Sequence, residues 1–265
     1  MPLPLPRSLS PSKVSSFKDC ALAFRFSAID HLPEAPSAPA VKGTLVHAAL
    51  EELFWSYPPG HRSREAASAC LDDAWSALVG TEDFVSLDLS PEESQAFRGD
   101  AERLVENVFL IEDPDGIDAA ATELTLEADV DGVRLRGIID RLDRTEAGGF
   151  VVTDYKTGRV PRNGQEQGRM AGVHFYAMLC QEILGERPER VQLLYLRGPT
   201  AITAEVSESS IRSLRRRTSA LWKAIERACE TEDFRPSPSG LCSWCSFKPL
   251  CPIYAEESAP GGSDH

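Results

Sequence analysis

Between Ile117 and Lys156 the chain runs through three strand patterns separated by two tight-turn signals. No other feature limits the fold as much. ELTLEADV (123–130) alternates apolar and polar residues, and Asp131-Gly132 is a strong type I′ hairpin signal. VRLRGIIDRLDR (133–144) continues as a second strand, in which Gly137 falls where the apolar parity shifts, as a β-bulge requires. Ala147-Gly148-Gly149 then turns the chain into FVVTDYKTG (150–158). Three consecutive antiparallel strands are therefore expected. A helix over Gln165–Leu184 follows, then strands in VQLLYLRG and AITAEVS, then a long helix from Ser207 to about Glu230.

Upstream the period is helical throughout. SPSKVSSFKDCALAFRFSAI predicts one capped helix over Ser10–Ile29, and a Pro/Ala-rich connector follows. GTLVHAALEELFWSY predicts a strongly apolar helix with His47 near its start, and two more helices are expected over Arg64–Val79 and Pro91–Ile111. The order helices, βββ, α, ββ, α, with no repeat and no long linker, predicts one α+β domain over 1–253. Its helical portion is 43–111, its sheet core 117–206, and its C-terminal helix and cysteine-rich segment 207–253. Residues 254–265, small and polar, are expected to be a disordered tail.

The net charge of −13 argues against nucleic-acid binding by bulk attraction, but not against a local basic groove. Basic residues gather at Arg134, Arg136, Arg141 and Arg144, at Arg159, Arg162 and Arg169, and at Arg212, Arg215, Arg216 and Arg217. No apolar run is long enough to span a membrane. MPLPLPRSLSPSKV has no apolar signal-peptide core, so a cytoplasmic protein is expected.

The third strand carries an oddity. Phe150, Val152, Asp154 and Lys156 share one face by strand periodicity, so an apolar face ends in a carboxylate and an ammonium. Alone, the two could simply pair and brace the sheet. Asp140, on the neighbouring strand, adds a second acid surplus to such a pair. Two converging carboxylates repel unless a cation neutralises them, and oxygen ligands of this hardness suit Mg²⁺ or Mn²⁺.

Asp140, thirteen intervening residues and Asp154-Tyr155-Lys156 resemble the D…(D/E)xK signature of the PD-(D/E)XK nucleases. LSPSKVSSFKDC, GTLVHAALE, GIIDRLD and DYKTG narrow the resemblance to the RecB-like exonuclease branch. It implies a mixed central sheet built on a three-strand meander followed by a helix. It also implies Asp140, Asp154 and Lys156 as catalytic residues. Asp140, Asp154, the Tyr155 main-chain carbonyl and His47 would be metal ligands, with Glu123 a further acidic candidate. Glu51, one turn after His47, would orient the imidazole or face solvent. Tyr176 and Arg159 would contact substrate. Relatives carry QxxxY on the helix after DYK, where the glutamine contacts DNA. Here Tyr176 is present, but Gly172 stands where the glutamine would be, with Gln165, Gln167 and His174 nearby as substitutes. The implied activity is metal-dependent exonuclease action, on single-stranded DNA or DNA ends, in repair or recombination, with a helicase or repair partner in trans. Two alternatives are a nuclease-derived DNA-binding or assembly subunit and an end-trimming nuclease of CRISPR adaptation. No GxxxxGK[ST] nucleotide-binding loop occurs in the chain.

Seven cysteines complete the picture. Cys70, Cys180 and Cys229 lie in apolar helical stretches and read as core thiols. Cys242, Cys245 and Cys251 need one more soft ligand to close a metal site. Ligand chemistry leaves zinc and iron–sulfur both open. The iron–sulfur members of the resembled branch, which are AddB-like or CRISPR-adaptation nucleases, place one cysteine before the core and three after it. That pattern implies a [4Fe–4S] cluster on Cys20, Cys242, Cys245 and Cys251, closing the C-terminal segment onto the N-terminal helix.

Overall fold

In the computed structural model, residues 2–161 and 166–255 are described, with the backbone alone for 166–169 and 255. The strand run folds as its turns dictate. β1 (Asp118–Val130) and β2 (Val133–Arg144) form a long antiparallel hairpin, and β3 (Phe150–Lys156) pairs antiparallel with the last residues of β2. Asp131 and Gly132 take φ values of 51° and 80°, the left-handed pair that a type I′ turn needs. Two further strands, β4 (Arg190–Tyr195) and β5 (Thr200–Glu205), complete a mixed five-stranded sheet in the order β1-β2-β3-β4-β5. The β3–β4 pair is parallel, joined by a helix (Glu166–Leu184) as a parallel crossover demands.

Chain order gives the helices their labels. They are α1 (Pro11–Asp19), α2 (Ala21–Phe24), α3 (Ala38–Ser56), α4 (Arg64–Leu78), α5 (Glu82–Val85), α6 (Pro91–Glu106), α7 (Val108–Ile111), α8 (Glu166–Leu184), α9 (Glu208–Thr231) and α10 (Pro252–Ala255). One apolar core packs α8, α9 and the N-terminal helices on one side of the sheet through Leu135, Ile139, Val152, Phe175 and Leu179. The other side is covered by α3, α4 and α6, which meet Tyr155, Leu194 and Leu196. This is the α+β architecture expected, with the three-strand meander leading into a helix.

Three local expectations need correction. The N-terminal stretch is not one helix. Cys20 is extended (φ −159°, ψ 109°), so α1 stops there, and α2 and a π-helical turn (Arg25–Ile29) follow. The Pro91–Ile111 stretch likewise divides at Asn107, whose side chain donates to the Leu196 carbonyl at 2.8 Å.

The parity of β2 does not shift at Gly137. Burial alternates through Val133, Leu135, Gly137 and Ile139, and Gly137 pairs regularly with Leu126. Gly137 serves helix packing instead: a Cβ there would sit 2.8 Å from the Tyr176 ring and 3.1 Å from Leu179. The face changes three residues later. Ile139 and Leu142 both reach the α8-side core, and so do Leu124 and Ala121 on β1. Both strands therefore flip between these pairs, at Asp140 and Glu123. Glu123 takes φ 43°, a rare conformation for a side-chain-bearing residue.

The two glycines that touch this helix should behave oppositely. Gly137→Ala forces the Tyr176 ring aside, and a loss of about 1–3 kcal/mol is expected. In Gly172→Ala the new Cβ meets only Pro11 Cβ at 3.8 Å. Relief of glycine's helical cost should then add up to about 1 kcal/mol. Urea unfolding of the two variants checks the pair, and equal losses would refute it.

Candidate active site

The double flip explains why the acids meet. Because β1 and β2 change face together, Glu123 and Asp140 face each other where regular pairing lapses between Thr122↔Arg141 and Leu124↔Ile139. The β2–β3 ladder also ends there, at Arg141↔Thr153. The Asp140 carboxylate takes over the ladder's next bond, accepting from the Tyr155 N–H at 2.6 Å. A strand residue turns its N–H and C=O to the same edge, so the Tyr155 carbonyl faces this gap as well. α3 supplies His47, whose Nδ1 lies 3.6 Å from Asp140 Oδ2 and 3.8 Å from Glu123 Oε1. Ligand atoms of His47, Glu123 and Asp140 all lie within 4.8 Å of one another, and among the described residues no other group of three such side chains does so.

Asp154 and Lys156 adjoin this trio, but Asp154 is not among the ligand atoms that lie within 4.8 Å of one another. Asp154 is buried, and its Oδ2 lies 2.5 Å from Lys156 Nζ yet takes no hydrogen bond of good geometry. The electrostatics are those of a site crowded with negative charge. Burial, then repulsion from Asp154, pushes Asp140 up to about 7. Burial works against the charged forms of His47 and Lys156, but the surrounding carboxylates outweigh it and raise both. Burial, then the charges of Asp154, Asp140 and Glu123, raises the hydroxyl of Tyr176, so it stays a protonated donor on the site's wall. Burial, then Glu123, also raises Glu51.

Hard oxygen donors, one imidazole and mutual repulsion fit a divalent cation. A test follows by linkage. Asp140 has a folded pKa above its unfolded value, so in metal-free protein it costs stability progressively as pH rises from about 4 to about 7. Asp140→Asn keeps an acceptor for the Tyr155 N–H and removes the charge. Metal-free Asp140→Asn should be more stable at pH 8 by a few kcal/mol, with no gain at pH 4, and should lose Mn²⁺ affinity. Thermal unfolding at the two pH values with chelator present, plus titration calorimetry, decides this; a destabilised variant at pH 8 would contradict it.

Behind Tyr155 lies a network that the sequence reading missed. Arg141, grouped in the sequence with Arg134, Arg136 and Arg144 as a local basic cluster, is fully buried. It donates to both oxygens of Glu112 (2.6 and 3.0 Å), to both of Asp143 (2.7 and 3.0 Å) and to the Tyr155 hydroxyl at 2.6 Å. Phe54 of α3 lies 4.2 Å beneath the guanidinium. The network clamps the Tyr155 ring from below and ties β3 to the helical layer. Its signal was spacing: Arg141 and Asp143 share a face of β2 two residues apart.

The remaining candidates divide. Arg159 is exposed. His174 bonds the Met170 carbonyl of its own helix at 2.9 Å and does not stand in for the glutamine. Gln165, Arg162 and the side chains of Gln167 and Arg169 lie outside the described residues. Cys20, Cys242, Cys245 and Cys251 line one cavity of about 220 Å³ between the α1–α2 corner and the C-terminal segment. Backbone amides of Ser237 and Ser239 point at the sulfurs of Cys20 (3.5 Å) and Cys242 (3.4 Å). The Ser239 amide, then Tyr254, lowers the Cys242 thiol. Cys70, Cys180 and Cys229 are buried core thiols; burial raises the first two to about 11 and about 12.

Among solved structures, a "Putative exonuclease" from Eubacterium rectale aligns with 97% of this chain and 91% of its own, at 9% identity and a TM-score of 0.55. That similarity concerns the fold alone. A structure named SSO0001 aligns over 80% of this chain and 85% of its own, at 16% identity and a TM-score of 0.37. No curated protein matches the chain by sequence. A family model described as the PD-(D/E)XK nuclease superfamily matches residues 8–252. That span holds the carboxylates, His47 and Lys156, and over it the chain belongs to the PD-(D/E)XK nuclease superfamily.

Proposed function

We propose that this protein is a metal-dependent DNA exonuclease of the RecB-like branch, hydrolysing phosphodiesters of single-stranded DNA or DNA ends. The observation that carries the reading is the convergence of Glu123, Asp140 and His47 at one break in the sheet, with the Asp154–Lys156 pair near enough for Asp154 to repel Asp140. Asp140, Asp154, His47 and the Tyr155 carbonyl would hold the cation, with Glu123 beside them. Bound there, a Mn²⁺ or Mg²⁺ ion supplies charge that offsets the phosphate's and makes water more acidic.

The chain's own groups do the rest. Water oxygen bonds to phosphorus as one ester P–O bond breaks; the attacking water gives up a proton to solvent, and the departing ester oxygen takes one up from solvent to leave as a hydroxyl. The Lys156 ammonium, steadied by Asp154, hydrogen-bonds the attacking water and orients it. Tyr176, a neutral donor, supports the phosphate side. The Arg141 clamp keeps Tyr155 and thus Asp140 in register.

We also propose a [4Fe–4S] cluster on Cys20, Cys242, Cys245 and Cys251, which would act as a structural staple. Its support is the shared cavity and the amides aimed at two of the sulfurs. A helicase or repair partner would act in trans.

Gly172 favours a second reading, a DNA-binding or assembly subunit with little turnover. One experiment separates the two. Anaerobically purified protein is incubated with end-labelled single- and double-stranded DNA, with Mn²⁺, Mg²⁺ or chelator. Stepwise shortening of the single strand, stronger with Mn²⁺ because His47 is a softer ligand, is expected. Binding without cleavage in any metal would select the second reading.

A further inference from the structure

The α9 helix carries two unlike faces. Ile211, Leu214, Thr218 and Ile225 are buried and seat it on the core. Arg212, Arg216, Ser219 and Lys223 follow one another at intervals of four, three and four residues, so they share a different face. They extend over about 17 Å of helix. Together with Arg215, and with Asp131 of the β1–β2 turn, they line one open groove of about 600 Å³.

This groove is positive on a chain whose net charge is −13. Its single carboxylate, Asp131, already has a cation: Arg215 Nη1 lies 3.8 Å away, and Arg215 also pairs with Glu182 of α8. Those pairs tie the hairpin tip, α8 and α9 together and leave the other cations of the groove uncompensated by it. Arg212 lies 3.7 Å from Glu208, whose second oxygen takes the shorter bond from Arg187 at 2.8 Å. Arg216 and Lys223 are exposed and carry no ion pair among the described residues. Arg212 and Arg216, four residues apart on a helix, repel, and an anion bound between them relieves that repulsion.

Two features select a nucleic-acid backbone as the anion. Protein interfaces are anchored at their centre by aromatic or aliphatic side chains, whereas Ala220 is the one apolar side chain among the described residues lining this groove. The groove also lies within reach of the candidate active site. Asp131 precedes Asp140 by nine residues in the hairpin, a distance of no more than about 30 Å, the rise of roughly nine stacked nucleotides.

We propose that the α9 groove is a second contact surface for the nucleic-acid strand, outside the catalytic site, with Arg216 and Lys223 binding its phosphates. The surface rests on the nuclease reading for the identity of the strand. Its cations hold backbone and read no base.

Binding is measured without hydrolysis, by anisotropy of a fluorescein-labelled single strand longer than that span, titrated in Ca²⁺ across a salt series. Arg216→Gln and Lys223→Gln should each weaken binding roughly 3- to 10-fold and flatten the log–log salt slope by about 0.7, the double variant by about 1.4. Arg217→Gln removes the same charge from an exposed position outside the groove; it should change affinity less than about twofold and leave the slope alone. Arg216→Lys should keep most of the affinity. In cleavage assays the double variant should raise KM and leave kcat unchanged, because the groove holds substrate and transition state alike. Variants that melt as wild type does yet keep its affinity and salt slope overturn the surface. So does an equal loss in Arg217→Gln, which would mean diffuse charge, or a wild type that does not bind the strand. A double variant that binds DNA normally but sediments differently makes the groove a contact between copies and overturns it too. Wild type that binds the strand through the groove but cuts nothing refutes the nuclease reading and leaves the surface standing. Wild type that cuts DNA while both single variants bind normally refutes the surface alone.

Discussion

Lys156→Ala is expected to bind DNA and Mn²⁺ but to cleave about 10³-fold more slowly than wild type, the upper end of what the loss of one preorganised hydrogen-bond donor costs. The side chain is 43% exposed, so its loss opens no cavity and should leave the melting temperature within a few degrees. What disappears is the cation 2.5 Å from Asp154 Oδ2, and with it the donor proposed to orient the attacking water. Metal affinity should rise slightly, because removing a positive charge beside Asp154 and Asp140 leaves the carboxylates more available. Lys156→Arg should rescue little: a planar fork cannot occupy the point position of an ammonium wedged against one carboxylate oxygen. Single-turnover cleavage, metal titration and circular dichroism on the same preparations separate these effects. A folded Lys156→Ala protein that cleaves at the wild-type rate would remove this strand from the mechanism.

The strand run was legible because its signals are local. Asp131-Gly132 demands left-handed backbone at two successive positions, and a hairpin supplies it. Once the hairpin and the Ala147–Gly149 turn are set, Asp140 and Asp154 must fall near each other on neighbouring strands. The break in β1 and β2 was half legible. A parity shift was visible in the apolar pattern, but Gly137 drew it three residues too early, because glycine in a strand serves bulges and close helix approach equally. Only Tyr176, thirty-nine residues further on, tells which role applies.

Arg141 was hidden for a related reason. An arginine in a run of arginines reads as solvated, and its burial depends on Glu112 and Phe54 arriving from the helical layer, which no local pattern announces. Cys20 was found as a ligand candidate, but the helix break that exposes its thiol at a corner was not. Serine and aspartate around it continue a helical period that tertiary packing overrides.

Cys20→Ser is expected to cost the protein its proposed cluster and about 10 °C of melting temperature. The argument is one of chain entropy. Cys20 lies at the α1–α2 corner and the other three cysteines in the last segment, yet all four line one cavity. A cluster bound by all four closes a loop of about 220 residues, worth on the order of 5 kcal/mol in the chain-entropy treatment of a crosslink. For a chain of this size each kcal/mol moves the melting temperature by about 2–4 °C. Anaerobically purified wild type should be brown, with iron and acid-labile sulfide in equal amounts, whereas zinc would give colourless protein without sulfide. Cys180→Ala, in the core and away from the cavity, should keep the iron and sulfide even where it loses some stability. If Cys20→Ser retains full iron and sulfide and melts with wild type, the three late cysteines have another partner, and the N-terminal helix is held by its apolar contacts alone.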